Sequence, residues 1–261
     1  MNMTIPQIKT MLDKADEQEY KALERALSAD TRKGVKSALA KAKKRLDGER
    51  KERERLESLY AFEQSFADGP DDLIVGLDEV GRGSVAGPLA VGAVVLPRLD
   101  HIEGLNDSKQ INPERRIEIA QAVKQRALAW TVAYISPNDI DRDGMTMSLR
   151  RAFSQALADI DSALPNVSVV LIDGNPIHID PREKNVVKGD ARCASIAAAS
   201  IVAKTERDRL MIELSERYPA YELDVNKGYA SPQHIEAIRS HGLSPIHRSS
   251  FCRSFMQETL F

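Results

Sequence analysis

The chain has 261 residues, of which 42% are hydrophobic and 29% charged, with a formal net charge of −2. This supports one sizeable core plus a small appendage and excludes wholesale disorder. The near-zero charge also excludes adhesion to nucleic acid by total charge, leaving only local patches for that purpose.

The first twenty residues interleave charges with apolar side chains, and no later apolar run is long enough to cross a bilayer. A cytoplasmic protein without membrane association is therefore expected. Residues 5 to 66 hold no strand-like run. Ile5, Ile8, Leu12, Leu23, Leu27, Val35, Leu39 and Leu46 recur at roughly helical intervals, predicting two or three helices with a break and N-cap at Asp30-Thr31. Within this region, residues 31 to 55 carry eleven Lys or Arg against four acids, a local charge of +7. Two readings stand open for that segment: a solvated helical face laced with ion pairs, or a clamp on the backbone of a duplex.

Ala67-Asp68-Gly69-Pro70 has the composition of a linker, so residues 1–69 are expected to form a helical, basic extension and residues 70–261 the main domain. Beyond the linker, Leu73 to Leu77 predicts a strand, followed by a Gly-rich turn and a second strand over Leu89 to Leu96. Pro113 to Lys124 predicts a helix with Pro in its first turn, Leu128 to Ile135 a third strand, and residues 145 to 160 an amphipathic helix. Val167 to Ile172 predicts a buried strand, and Asn185 to Lys188 a shorter one. A long alanine-rich helix is expected from Ala191 to about Arg217, then short helices joined by Pro and Gly turns. The last residues, Met256 to Phe261, are expected to pack on the core. Strands that first meander and then alternate with helices imply an α/β fold with a mixed central sheet flanked by helices. Cys193 and Cys252 are expected to be buried thiols, with neither disulfide nor zinc.

Asp78-Glu79, Asp173 and Asp190 each follow an apolar run and adjoin or approach glycine, so three strand ends would deliver four carboxylates. Hydrolysis of a phosphodiester needs a nucleophilic water and neutralisation of phosphate charge, which a pair of Mg2+ or Mn2+ ions on clustered Asp and Glu supplies. Any one of these acids alone reads better as a turn residue or N-cap, Asp190 in particular as the cap of the long helix. Asp208 lies eighteen residues along from Asp190, a rise of ~27 Å in one helix. It is therefore set aside as a salt-bridge partner of a nearby Arg.

Gly76-Leu77-Asp78-Glu79-Val80-Gly81-Arg82-Gly83 with Ala86-Gly87-Pro88 resembles the signature of bacterial ribonuclease HII. Asn106-Asp107-Ser108-Lys109, Asp173-Gly174, Lys188-Gly189-Asp190, Ala203-Lys204 with Arg207-Asp208, Lys227-Gly228-Tyr229 and His247-Arg248 extend the resemblance in order and spacing across about residues 73 to 250. It implies a ribonuclease H-like catalytic domain with Asp78, Glu79, Asp173 and Asp190 as catalytic metal ligands. It also implies cleavage of the RNA strand of RNA/DNA hybrids and nicking of duplex DNA on the 5′ side of an embedded ribonucleotide. Gly81-Arg82-Gly83 and Tyr229 would sense the 2′-hydroxyl, with Lys109 and Arg248 on phosphates. Glycines admit the sugar close to backbone amides and carbonyls, and a 2′-hydroxyl is both donor and acceptor. A monomer is expected, with any replication or repair partner unspecified. Ser84 and Ser249 depart from the family pattern, which has proline and a second arginine there; a looser turn and one fewer phosphate contact are expected. A junction resolvase on the same fold would have no use for a 2′-hydroxyl sensor, and a non-catalytic binding module would use Asp78 and its companions only as turn residues.

Overall fold

The computed structural model describes residues 3–256. The chain divides into two compact units, Met1–Glu57 and Ser58–Phe261. The first contains α1 (Ile5–Lys14), α2 (Glu17–Ala26) and the greater part of α3 (Lys33–Gln64). Capping boxes start the first two helices, Thr4 with Gln7 and Asp16 with Glu19. The second box ends the first helical stretch at Ala15, so a break falls there as well as beside Asp30. Asp30 accepts the Arg32 backbone N–H and pairs with its guanidinium at 2.6 Å. Ile8, Leu12, Tyr20, Leu27, Val35, Ala42 and Leu46 form the core of this unit.

The second unit begins within the last turns of α3 and is built on a five-stranded sheet: β1 (Leu73–Val80), β2 (Leu89–Val95), β3 (Ala129–Ile135), β4 (Val167–Asp173) and β5 (Glu183–Val186). Their order is β3-β2-β1-β4-β5; β1 to β3 form an antiparallel meander, while β4 and β5 add in parallel beside β1. Strand alternation divides the side chains between two faces. Val75, Leu77, Val91, Ala93, Val170 and Ile172 meet Phe153, Ala156 and Ile160 of α5 (Pro137–Ala163). Helix α5 begins eight residues earlier than expected, with Pro137 at its first position and Ser136 as cap, and bends at Gly144 (φ 77°, ψ 163°).

Helix α6 (Ala194–Arg217) crosses the other face so closely that only glycine fits beneath it. A Cβ on Gly76 would lie 2.3 Å from the Ile196 backbone nitrogen, and one on Gly92 2.4 Å from the Ala199 carbonyl oxygen. The small residues of α6 make this approach possible. Helix α4 (Pro113–Arg126) packs beside α6, and α7 (Leu223–Asn226), α8 (Pro232–His241) and α9 (Ser249–Met256) follow it. Both cysteines are buried and free. Residues 257–261, the greater part of the tail expected to pack on the core, lie outside the described residues. No helix among the described residues is long and apolar enough to cross a membrane.

Candidate active site

Strand β1 carries Asp78 and Glu79 in its last turns of pleat, and β4, its parallel neighbour, ends on Asp173; Leu77 pairs with Ile172, which brings the two acidic ends level. Alternation along β1 sends the adjacent acids to opposite faces. Asp78 shares the α6 side with Gly76, near Ser200 of that helix, whose hydroxyl also meets that of Ser108 at 2.9 Å. Glu79 opens on the α5 side, into a cleft of about 470 Å³ that also has Asp173, Arg82 and Arg150 in its wall. Asp190 arrives differently from the expected strand end. Strand β5 stops at Val186, and Asp190 sits in a 3-10 turn over Gly189–Ala191. That turn is held to β4 by Gly189, whose N–H donates to Asp173 Oδ1 at 2.6 Å. Nor is Asp190 the helix cap, since α6 starts after Cys193.

The four carboxylates feel one another. Burial, and then the charges of Glu79, Asp173 and Asp190, push the Asp78 carboxyl up to about 8 against the pull of Ser200. Glu79 is raised by burial and Asp173 despite Arg82, and Asp190 by burial, Asp173 and Asp107 despite Lys109. Desolvation works to lower Lys109, but Asp107, Asp190, Asp78 and Asp173 outweigh it and raise its pKa; its Nζ stands 3.8 Å from Asp190 Oδ2. Mutual repulsion among hard oxygen donors is the electrostatic state that a divalent cation relieves, so the donor set fits Mg2+ or Mn2+. Among the described residues no three such side chains already converge at coordinating distance.

Asp208 stands apart. Its carboxylate pairs with Arg116 at 3.5 Å and Lys204 at 2.6 Å, so its expected salt bridge to an arginine is present. Helix α6 starts only at Ala194, so the continuous helical rise to Asp208 is ~21 Å rather than the ~27 Å expected from Asp190.

The turn after β1 is the second part of the site. Gly81 has φ 82°, and a Cβ there would lie 2.2 Å from Arg207 Nε. Arg82 is exposed and reaches back to Glu79 at 3.4 Å. Backbone hydrogen bonds from Val85 and Ala86 to the Gly228 carbonyl join this loop to the segment carrying Tyr229, which is 40% exposed. Beneath both loops lies the fully buried Arg207. It donates to the carbonyls of Pro88, Ala86 and Lys227 and to Ser84 Oγ, and its guanidinium stands 5.8 Å from the centre of the Tyr229 ring. Ser84 is thus fastened rather than loosened.

Arg248 corrects an expectation. Its side chain is buried, with 0% exposure, and its donors go to the carbonyls of Gly87 and Arg82. The guanidinium holds the loop from within and, being buried, has no surface to offer a phosphate. Ser249, where the family pattern has a second arginine, binds Asp141 Oδ2 through both its N–H and its hydroxyl.

A third group fixes the Tyr229 segment. Ser244 N–H donates to His247 Nδ1 at 3.0 Å, so His247 carries its proton on Nε2 and gives it towards His234 Nε2 at 3.1 Å. His234 then donates from Nδ1 to the Tyr229 carbonyl at 2.9 Å. Both rings are neutral in this relay, consistent with burial lowering both and pushing His247 down to about 4. Arg207 is the residue that sequence reasoning undervalued. Its signal was present in the 196, 200, 203, 207 spacing, which places it on the buried stripe of α6.

Comparison with known proteins agrees with this geometry. Among solved structures, ribonuclease H2 from Pyrococcus horikoshii OT3 superposes with a TM-score of 0.60 at 26% identity, covering 70% of this chain and 97% of that one. Bst-RNase HIII in complex with Mn2+ has a TM-score of 0.60 at 22% identity, covering 71% and 70% respectively. The fold is therefore that of the type 2 ribonuclease H enzymes. Residues 75–254 match the family Ribonuclease HII and residues 4–67 the family Ribonuclease HII N-terminal domain. Ribonuclease HII of Clostridium acetobutylicum is 37% identical over 260 residues, 97% of this chain and all of its own length. The chain belongs to the ribonuclease HII family and is a ribonuclease H, a hydrolase.

Proposed function

We propose that this enzyme cuts the RNA strand of RNA/DNA hybrids and nicks duplex DNA on the 5′ side of a single embedded ribonucleotide, leaving 5′-phosphate and 3′-hydroxyl ends. The observation that carries the proposal is the joining of two features: four mutually repelling carboxylates, and a Gly-Arg-Gly loop bound by backbone hydrogen bonds to Tyr229. Asp78, Glu79, Asp173 and Asp190 hold Mg2+ or Mn2+, as the donor chemistry favours; a relative of the same fold is known in complex with Mn2+. When bound, a pair of such ions supplies charge neutralisation at the scissile phosphate and acidifies the attacking water.

The protein's own groups select and orient. Backbone groups of Gly81 and Gly83 approach the ribose, because no side chain intervenes, and hydrogen-bond its 2′-hydroxyl. Tyr229 stacks against the following deoxyribose, where a further hydroxyl would clash. Lys109, exposed and beside Asp190, and Arg82 take phosphate oxygens and set register without reading bases. Such an activity serves removal of misincorporated ribonucleotides and of RNA primers, and needs a single copy of the chain.

The test is a duplex with one ribonucleotide in otherwise DNA strands, incubated with Mg2+ or Mn2+ and, separately, with EDTA. A metal-dependent nick 5′ to the ribose is expected, lost in Asp78→Ala and Asp173→Ala. A nick that persists in EDTA, or cleavage of all-DNA duplex at equal rate, overturns the proposal.

A further inference from the structure

The exposed side of α3 within the first unit carries charge in an ordered way. At 3.6 residues per turn, Lys33, Lys36, Lys43, Lys44 and Lys51 fall within one sector of about 100°. All five are exposed, and among the described residues none makes an ion pair. The buried side chains Val35, Ala38, Ala42 and Leu46 point away from this sector. It otherwise holds Ala40 and two acids, Asp47 and Glu54, and both acids are held by Arg50, at 3.2 and 3.7 Å. Arg45 is likewise occupied, with Glu49 at 2.8 Å. The ion pairs of this helix thus engage Arg45, Arg50 and Arg55 with Asp47, Glu49, Glu52 and Glu54, and among the described residues leave a row of five lysines, running ~27 Å along the axis, outside any ion pair.

We propose that this lysine row is a binding face for the sugar-phosphate backbone of the duplex substrate. The inference rests on the proposed duplex substrate and assigns the basic extension a task within it. A narrow row of compact, strongly hydrated point charges matches a linear polyanion, which presents one charge per ~1.7 Å of duplex axis. It matches a protein surface poorly, because lysine is depleted at protein interfaces and the sector contains no aromatic or branched apolar anchor. A row of ammonium groups that follows the backbone meets phosphate oxygens rather than base edges, so the face adds affinity independent of sequence and of ribose.

The experiment is fluorescence anisotropy of the full chain with a labelled duplex in EDTA, titrated at several KCl concentrations. Each lysine that neutralises a phosphate contributes ~0.9 to the log–log salt slope. Replacing Lys36, Lys43, Lys44 and Lys51 together by glutamine, a good helix former, is expected to reduce the slope by ~3 to 4 and weaken binding at 50 mM salt by more than about tenfold. The reduction should be the same on an all-DNA duplex. The corresponding Lys→Arg set is expected to retain the slope, and an unchanged far-UV spectrum shows that the helices persist. An unchanged slope in the glutamine set overturns the proposal, as does an equal loss in the arginine set. The nicking assay separates the two ideas: failure to nick with the slope intact strikes the activity alone, and normal nicking with an unaltered slope strikes the lysine face alone.

Discussion

Glu63 is a buried carboxyl in the last turn of α3, only 3% exposed, and its Oε2 accepts the Ser195 N–H at 2.6 Å. It therefore caps α6 from another helix, in place of Cys193, whose side chain makes no capping bond. Burial outweighs these hydrogen bonds and raises its pKa to about 7 from an ordinary 4.5. A raised carboxyl stabilises the fold below its unfolded pKa, where both states are neutral. Above that point the unfolded chain ionises first, and stability falls by ~1.4 kcal/mol per pH unit until the native group ionises as well. Over the window from 4.5 to about 7 the loss reaches ~3 kcal/mol. Glu63→Gln keeps the shape and the carbonyl acceptor but has no proton to lose. Urea unfolding of both proteins at pH 5 and pH 8 isolates this one group, since other titrations cancel in the difference. The glutamine variant should gain about 2.5 kcal/mol on the parent between the two pH values, because part of the loss has already occurred at pH 5. A stability difference independent of pH would refute the assignment of a neutral, buried Glu63.

Gly76→Ala sets a methyl 2.3 Å from the backbone of α6, which cannot swing aside as a side chain could. A loss of at least ~1 to 3 kcal/mol in urea unfolding is expected, and a neutral effect would mean that α6 stands further off the sheet. Arg248→Lys should lower activity on the single-ribonucleotide duplex about tenfold or more, by releasing the Gly87 and Arg82 carbonyls, yet leave the salt slope of binding unchanged, whereas Lys109→Gln should reduce that slope by ~1. A smaller slope in the Arg248 variant would restore it as a phosphate contact. Nitrogen-15 chemical shifts at pH 7 should show His234 protonated on Nδ1 and His247 on Nε2; the opposite tautomers would break the relay to Tyr229.

The sheet and its mixed character were legible because β1 to β4 are short apolar runs, and β1 and β4 run directly into acids and glycine. The acids were legible singly, but their electrostatic coupling needs β4 laid beside β1, a pairing between residues about 95 positions apart. Asp190 was placed at the end of a strand because Val186-Val187 reads as a continuation; the 3-10 turn that actually carries it depends on the Gly189 bond to Asp173. The Asp16-Glu19 capping box was visible in the sequence, and its break was missed because the apolar period on either side looks unbroken. Arg248 shows the deeper limit. An arginine beside a conspicuous motif looks like a phosphate ligand, and only the tertiary path of residues 82 to 88 reveals carbonyls waiting for it inside.

The loop at 81–88 is made early in the chain and finished late. Its fastenings, Arg207, the Gly228 carbonyl and Arg248, lie from about 120 to 160 positions downstream, after all four acids. Domains assemble from the N-terminus forward during synthesis. A growing chain therefore holds every carboxylate of the site before it holds the groups that fasten the loop. A chain interrupted before α6 possesses all four acids and none of these fastenings.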